Sequence, residues 1–321
     1  MSRGTSTAAL ALVLVALGAY IWFVERKREP ADPDAKAKVF AALQADQIEE
    51  LTIKGSTGDT TTLKKENGTW RLTAPVVVDA DAVEAGALAS GLAGLEEQRV
   101  VDENASDLAA FGLAPPRVEV SFRTAGESQP RRVLLGEKTP TGGDMYAALG
   151  DGARVFLVPA YLESTFDRGT FDLRDKAALE LDRTKVDGFQ VIAGGTPVSF
   201  TKRDEQWRMT APLDVRADYG AVEGILGRVA TAQMKAIVAE NAADLTSYGL
   251  QAPAITVHLD AGSARSTLFI GSASPEGSLY AKDAARPMVF TLDGTLADDL
   301  KKAPADFRPK DLLEFRSFTG Q

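Results

Sequence analysis

The chain changes its apolar period several times, and each change marks an element. Ala8 to Val24 is an uncharged apolar run. As a helix rising about 1.5 Å per residue it spans about 26 Å, enough for a thin or locally adapted bilayer. Tyr20 and Trp22 lie near its end, where amphipathic aromatics suit a membrane interface. A cleaved signal peptide and a buried helix are the competing readings. A cut after the small-x-small stretch Ala16-Leu17-Gly18 would leave Ile21-Trp22-Phe23-Val24 as a greasy new terminus, so an uncleaved anchor is expected. Residues 1–28 are therefore read as the anchor, with its span at about 8–24. Residues 29–38, polar and carrying Pro30 and Pro33, are read as a tether.

Beyond the tether the pattern becomes short alternating runs. Ile48, Leu51 and Ile53 open a strand, Thr60 to Lys65 form a second, and Trp70-Arg71-Leu72 return after Asn67-Gly68, a strong hairpin signal. Asp79 to Leu95 reads as a helix with Val83, Ala87, Leu88, Leu92 and Leu95 on one face. Asn104 is placed as an N-cap with Asp107 at N3, and Gly112 as a left-handed C′ residue ahead of Pro115-Pro116. Val118–Phe122, Val133–Leu135, Met145–Leu149 and Val155–Val158 complete a series of strands joined by glycine turns.

The series then repeats. Trp70-Arg71-Leu72-Thr73-Ala74-Pro75 returns 137 residues later as Trp207-Arg208-Met209-Thr210-Ala211-Pro212. Glu103-Asn104-x-x-Asp107-Leu108-x-x-Phe111-Gly112-Leu113 returns at the same offset as Glu240-Asn241-x-x-Asp244-Leu245-x-x-Tyr248-Gly249-Leu250. One offset over two separated motifs indicates a duplicated module. Val186, Phe189 and Val191 match Ile48, Leu51 and Ile53, and Gly194-Gly195 is a turn. The helix residues Val222, Ile225, Leu226, Val229 and Ala230 form a clean amphipathic face. Asp218 to Glu223 aligns with Asp79 to Glu84 at an offset of 139, which implies two inserted residues before the second helix. Phe171-x-x-Arg174-Asp175 is echoed by Phe307-x-x-Lys310-Asp311, as though a third module began, and Phe315 to Phe318 is expected to pair with a neighbouring sheet.

The expected fold is therefore α+β: two tandem homologous modules, at 39–170 and 171–303, and a tail at 304–321. Each module is expected to hold a mainly antiparallel sheet of short strands with one long and one short helix, behind an N-terminal transmembrane helix.

Charge narrows the function. The net charge is −9. Setting aside Arg3, Arg26, Lys27, Arg28, Glu25 and Glu29 around the apolar run leaves 32 basic against 43 acidic residues, or −11. That disfavours nucleic acid, which requires a basic surface, and electrostatic docking to anionic lipid. The absence of cysteine excludes disulfides, thiol catalysis and zinc–thiolate sites.

No side-chain constellation points to a reaction. His258, the single histidine, falls on an alternating strand without a second His or any Cys to complete a site, and is read as a solvent-facing strand residue. Leu135-Gly136-Glu137-Lys138-Thr139 has the end of a phosphate-loop pattern, but Arg131 stands where its first glycine belongs and no helix follows. The acidic pairs Asp79/Asp81 and Glu103/Asp107 could serve glycoside hydrolysis at about 5–9 Å separation. Their setting around helix N-termini favours capping. Trp70, Trp207, Tyr146 and Tyr280, repeated in both modules, fit packing better than exposed stacking. No catalytic, cofactor-binding or metal-ligating residue is assigned, and no cofactor is expected.

The W-x-[LM]-x-x-P strand, the D-x-x-x-[FY]-G-L segment followed by proline, Val133-Leu134-Leu135-Gly136 with Leu268-Phe269-Ile270-Gly271, and Tyr146-Ala147 with Tyr280-Ala281 resemble the family of domain of unknown function 4340. The resemblance covers nearly everything after residue 38. It implies a bacterial membrane-anchored envelope protein, often associated with ABC-transporter components of the gliding-motility type, and carries no catalytic residues over. Arg26-Lys27-Arg28 alone would keep the body in the cytoplasm, but long domains translocate largely regardless of charge. With the resemblance, the expectation is a single-pass inner-membrane protein with a periplasmic body. It would be a non-enzymatic, protein-binding accessory whose partners include ABC transporter subunits. An extracytoplasmic hydrolase or carbohydrate-acting enzyme and a passive spacer remain the alternatives.

Overall fold

The computed structural model describes residues 36–150 and 152–309. The expected span at 8–24 and the pairing expected of Phe315 to Phe318 lie outside them. Among the described residues no helix is long and apolar enough to cross a membrane.

Each repeat is built on an antiparallel sheet. In the first, the strands are β1 (Ile48–Lys54), β2 (Thr60–Glu66), β3 (Thr69–Ala74), β4 (Val78–Asp79), β5 (Arg99–Asp102), β6 (Val118–Thr124), β7 (Arg131–Lys138), β8 (Asp144–Leu149) and β9 (Val155–Pro159). Their order is β4-β3-β2-β1-β6-β7-β8-β9-β5. In the second they are β10 (Gly188–Ala193), β11 (Thr196–Arg203), β12 (Gln206–Ala211), β13 (Val215–Arg216), β14 (Ala236–Ala239), β15 (Ile255–Ala261), β16 (Ala264–Ala273), β17 (Leu279–Asp283) and β18 (Val289–Leu292). Their order is β13-β12-β11-β10-β15-β16-β17-β18-β14, the same topology. By compactness the chain falls into two units. One holds the described residues to Lys65 with Ala85–Gly169; the other holds Glu66–Glu84 with the chain from Thr170 onward, so β3 and β4 belong to the second unit.

The alternation read from sequence is the alternation of burial. β6 and β15 share one pattern, with Val118, Val120 and Phe122, and Ile255, Val257 and Leu259, facing inward. Asn67 and Gly68 both adopt positive φ, the geometry of a tight hairpin whose twist matches its strands. Asp204 and Glu205 make the corresponding turn between β11 and β12 without a glycine. Trp207, Phe189, Phe200, Leu268, Ile270 and Phe290 share one core with Val222, Ile225, Leu226 and Val229 of the long helix α4 (Tyr219–Ala230).

The helices depart from expectation in number and in placement. The long helix of the first repeat, α1, is Ala82–Ala93, not Asp79–Leu95, because Val78–Asp79 is taken up as the edge strand β4. Its buried face is Ala85, Leu88, Ala89 and Leu92, while Val83 is 80% exposed and Ala87 is exposed too. Glu84 and Ser90 are the only polar side chains in α1, so apolar spacing cannot select a face. Small residues that permit close packing decide it. Short helices follow the last meander strand in each repeat: α2 (Leu162–Phe166) and α3 (Thr170–Leu173) in the first, α5 (Thr295–Leu300) in the second. One long and one short helix per module therefore undercounts the first repeat, which has two short helices, and misplaces the short helix in both. The expected short helix after Asn104 is a single 3-10 turn at Ala109–Phe111, capped by left-handed Gly112. Asn104 does not cap it; Asp107 does, accepting the Ala109 N–H at 2.9 Å. A carboxylate two residues before a tight turn reaches that N–H directly, so a box starting at 104 is too long for it.

Helix entry exposes the true register of the duplication. Asp81 accepts the backbone N–H groups of Val83 and Glu84 at the start of α1. Asp218 accepts that of Ala221 at the start of α4. The Asp81 N–H bonds to the Leu173 carbonyl and the Asp218 N–H to the Phe307 carbonyl. Asp218 is thus the counterpart of Asp81, not Asp79, and the offset stays at 137 with no insertion before the helix. The similarity of Ala82-Val83-Glu84 to Ala221-Val222-Glu223 suggested the shift, but backbone hydrogen bonding overrides it.

Candidate functional site

The sequence candidates are distributed and individually occupied. His258 lies on β15 opposite Thr267 of β16, and its Nδ1 is 2.9 Å from the Thr267 Oγ1. It is half-buried; burial and the nearby Arg265 push its imidazole below its usual pKa against the opposing charge of Asp260, which leaves it neutral at neutral pH. Asp79 pairs with Arg71 at 3.0 Å, and Asp81 is the helix cap. Glu103 pairs with Arg154 at 3.0 Å and Glu240 with Arg174 at 2.6 Å. These carboxylates serve as caps and ion-pair partners and do not face one another across a pocket.

Glycine geometry replaces the phosphate-loop reading of Leu135–Thr139. A Cβ on Gly136 would lie 2.1 Å from the Phe111 carbonyl oxygen, and one on Gly271 would lie 2.1 Å from that of Tyr248. Both repeats press the 3-10 turn onto the sheet at that glycine. Phe111 and Tyr248 sit edge-on to Tyr146 and Tyr280, with centroids 5.0 and 5.2 Å apart. The repeated tyrosines are therefore packing partners of the turn. Thr139 closes a hairpin, its N–H bonding to the Asp144 carbonyl at 2.8 Å.

Trp207 is a structural anchor as well. It is 1% exposed, and its indole N–H donates to Glu223 at 2.8 Å. Arg183 binds the same carboxylate at 2.9 Å and Lys202 approaches to 4.0 Å. Desolvation works against ionisation of Glu223, but the Trp207 and Arg183 hydrogen bonds and both cations hold its carboxyl below the ordinary range. A second cluster surrounds Arg174, which is 2% exposed. Besides Glu240, its guanidinium meets the Met288 sulfur at 3.7 Å, while its Nε has no partner. Arg286 nearby donates to the Ala177 and Ala178 carbonyls and to Asp283. The pocket beside them, about 160 Å³, is lined by Arg71, Arg174 and Arg286 and by Asp79, Asp175 and Glu180, so its charges cancel.

The solvent face of β11, β12 and β13 is rich in arginine. A pocket of about 430 Å³ there is lined by Arg203, Gln206, Trp207, Arg208, Asp214 and Arg216. Pleating places three of the guanidinium groups together. Arg203 is registered opposite Gln206, Arg208 lies two residues along the same face, and Arg216 is registered directly opposite Arg208. Arg208 pairs with Asp214. That hydrogen bond, together with the charges of Arg208 and Arg203, holds the Asp214 carboxyl below its usual pKa.

At the offset of 137 the first repeat presents different residues on this face. Glu66 stands for Arg203, Arg71 for Arg208 and Asp79 for Arg216. Arg71 is registered opposite Asp79 and bridges both acids, at 3.0 Å to Asp79 and 3.5 Å to Glu66. Two carboxylates in one repeat have become two arginines in the other. The signal was present in the sequence, but a register of 139 set Asp79 against Asp218 and hid Arg216.

Among the described residues no group of His, Asp or Glu is arranged to hold a metal ion. No curated protein and no solved structure matches the chain. The family model described as Domain of unknown function (DUF4340) matches residues 70–208 and again 207–319. Each match runs from a Trp strand through the later glycine and tyrosine strands, and together they span more than half of the sequence. The chain is thus a member of the DUF4340 family carrying two copies of its domain.

Proposed function

We propose that this chain is a non-enzymatic, membrane-anchored extracytoplasmic protein that binds other proteins, as an accessory of an ABC-type transport or motility-related envelope complex. The apolar run at 8–24 supplies the anchor, and the two repeats form the body beyond the membrane. The observation that carries the reading is how the duplication has diverged. The residues kept in both repeats pack, cap or ion-pair within the fold, and the charge reversal falls on an exposed sheet face. An enzyme would concentrate its difference in converging acids and bases. Here the difference is a shallow arginine-lined surface of the kind that recognises a partner.

The test is affinity purification of the tagged full-length protein from its native membrane in mild detergent, with mass spectrometry of what accompanies it. Recovery of ABC permease or ATPase subunits, lost when residues 39–303 are deleted and the apolar run kept, is the expected result. Recovery of abundant membrane contaminants alone would refute the accessory role.

A further inference from the structure

We infer that the cavity of about 160 Å³ beside Arg174 is a binding site for a small zwitterion, a free α-amino acid with a short side chain. All of its lining residues belong to the second compact unit. Arg71 stands on β3, and Val78 and Asp79 form the edge strand β4. Residues 173–175 run beside that edge. The Asp81 N–H bonds to the Leu173 carbonyl and the Asp175 N–H to the Asp79 carbonyl, both at 2.9 Å, and Ala80 and Arg174 form an antiparallel bridge. Glu180 follows in the chain, and Arg286 and Met288 come from the connection between β17 and β18. Arg286 ties that connection down by donating to the Ala177 and Ala178 carbonyls. Main-chain bonds therefore hold the walls in place without a ligand, which lowers the ordering cost of binding one.

What the internal pairs leave over identifies the ligand. Arg71 is taken up by Asp79 and Glu66, and Arg286 by Asp283 and the two carbonyls. Arg174 gives both terminal nitrogens to Glu240, at 2.6 and 3.4 Å, but its Nε–H has no acceptor although the residue is 2% exposed. Buried donors in native proteins are nearly always bonded, so an orphan points to a missing partner. On the acidic side, Asp175 commits one oxygen to the Ala177 N–H at 2.8 Å. Among the described residues Glu180 meets Arg286 alone, at 3.7 Å, which is beyond hydrogen-bonding distance. One guanidinium donor and two under-used carboxylates thus line the same space. The whole lining holds three cations and three anions. A lone anion or a lone cation would upset that balance, whereas a molecule carrying both charges keeps it. Its carboxylate would take the Arg174 side and its ammonium the Asp175 and Glu180 side, with Val78 and Met288 as apolar wall for a short side chain. The volume would hold about five waters at roughly 30 Å³ each, and so a zwitterion of about six heavy atoms.

The experiment is equilibrium dialysis of radiolabelled L-alanine against the full-length protein in detergent. The expected result is saturable uptake of one molecule per chain, displaced by unlabelled glycine or L-serine. Propionate and ethylamine, which carry one charge each, should not displace it at the same concentration. Binding should weaken at least tenfold in D175N/E180Q. Asparagine can still accept the Ala177 N–H and both changes keep side-chain size, so the melting temperature of that variant should stay close to the wild-type value. R174K keeps a positive charge for Glu240 but has no Nε–H, and should weaken binding by a similar factor. If R174K does not fold, D175N/E180Q alone decides. Three results would overturn the inference. No saturable uptake at tens of millimolar would leave the cavity to water. Unchanged binding in D175N/E180Q would place the alanine elsewhere. Displacement by ethylamine or propionate as complete as by glycine would make the cavity a site for a single charge. The inference is independent of the accessory role: transporter subunits can accompany a chain that takes up no amino acid, and their absence would not remove the cavity.

Discussion

Replacing Gly271 by alanine tests whether the repeated glycine is a steric requirement. A methyl group there would lie 2.1 Å from the Tyr248 carbonyl oxygen and 3.0 Å from the carbonyl carbon of Gly249. Ordinary carbon–oxygen contact needs more than 3 Å, so the 3-10 turn at Thr246–Tyr248 would have to lift by roughly 1 Å. The obstacle is backbone, which has no rotamer to change. Lifting it would also disturb the edge-on contact of Tyr248 with Tyr280. Overpacking costs about 1–3 kcal/mol where side chains can yield, and a backbone collision belongs at the upper end. At about 2–4 °C per kcal/mol for a unit of this size, G271A should melt about 6–12 °C below the wild type. The control is Gly224, exposed in mid-helix α4 with nothing within 4 Å of its absent Cβ. G224A should gain about 1 kcal/mol from helix propensity and melt a few degrees higher. Thermal melts of the purified full-length protein followed by tryptophan fluorescence read both. A G271A melt within 1 °C of the wild type, or a G224A melt below it, would refute the reasoning.

Three further outcomes are expected. W207F keeps most of the packing but removes the donor to Glu223, and should cost about 1–3 kcal/mol, whereas W207A should cost about 3–5 kcal/mol in denaturant titration. Acid should destabilise the fold. Asp293 accepts the Thr295 N–H and hydroxyl and pairs with Lys235, which holds its carboxyl far below the usual range. A depressed folded pKa means that the unfolded chain binds more protons, so stability is complete above about pH 4 and falls as pH drops below it. D293N should flatten that fall when melting is followed from pH 5 to pH 2.5; an unchanged slope would remove Asp293 from the account. Finally, the cysteine-free chain makes Ser128→Cys a unique and exposed thiol. With the body outside the cytoplasm, a membrane-impermeant maleimide should label it in intact spheroplasts; labelling only after lysis would reverse the orientation.

Much of the fold is legible in sequence because local geometry leaves few choices. Asn67-Gly68 reads as a tight turn because few residue pairs accept two successive positive φ values. α4 reads correctly because Arg228 and Glu223 alternate with Val222, Ile225, Leu226 and Val229, so one face alone can be buried. α1 lacks that contrast: Leu88, Leu92 and Leu95 are buried as expected, but Val83 and Ala87 are exposed and Ala85 and Ala89 take their place. β5 and β14 went unread because each is four residues long, with no inward face, and is held only by pairing to a distant strand. No site residue was named from the sequence because the arginine face has no motif. It exists as a difference between two repeats and becomes visible once their register is known.

That difference also weighs against the passive-spacer reading. A surface under no demand but solubility would drift toward the composition of the chain, which carries 45 acidic and 36 basic residues. Drift of that kind would keep or multiply acids on the outer strands. It would not favour replacing both partners of the central arginine by arginine, since the first repeat shows the same strands holding a closed Glu66–Arg71–Asp79 set. The second repeat gives up that set and places Arg208 and Arg216 in register instead. A passive spacer gives no reason for the two repeats to differ at this one exposed face while keeping the same strands and register.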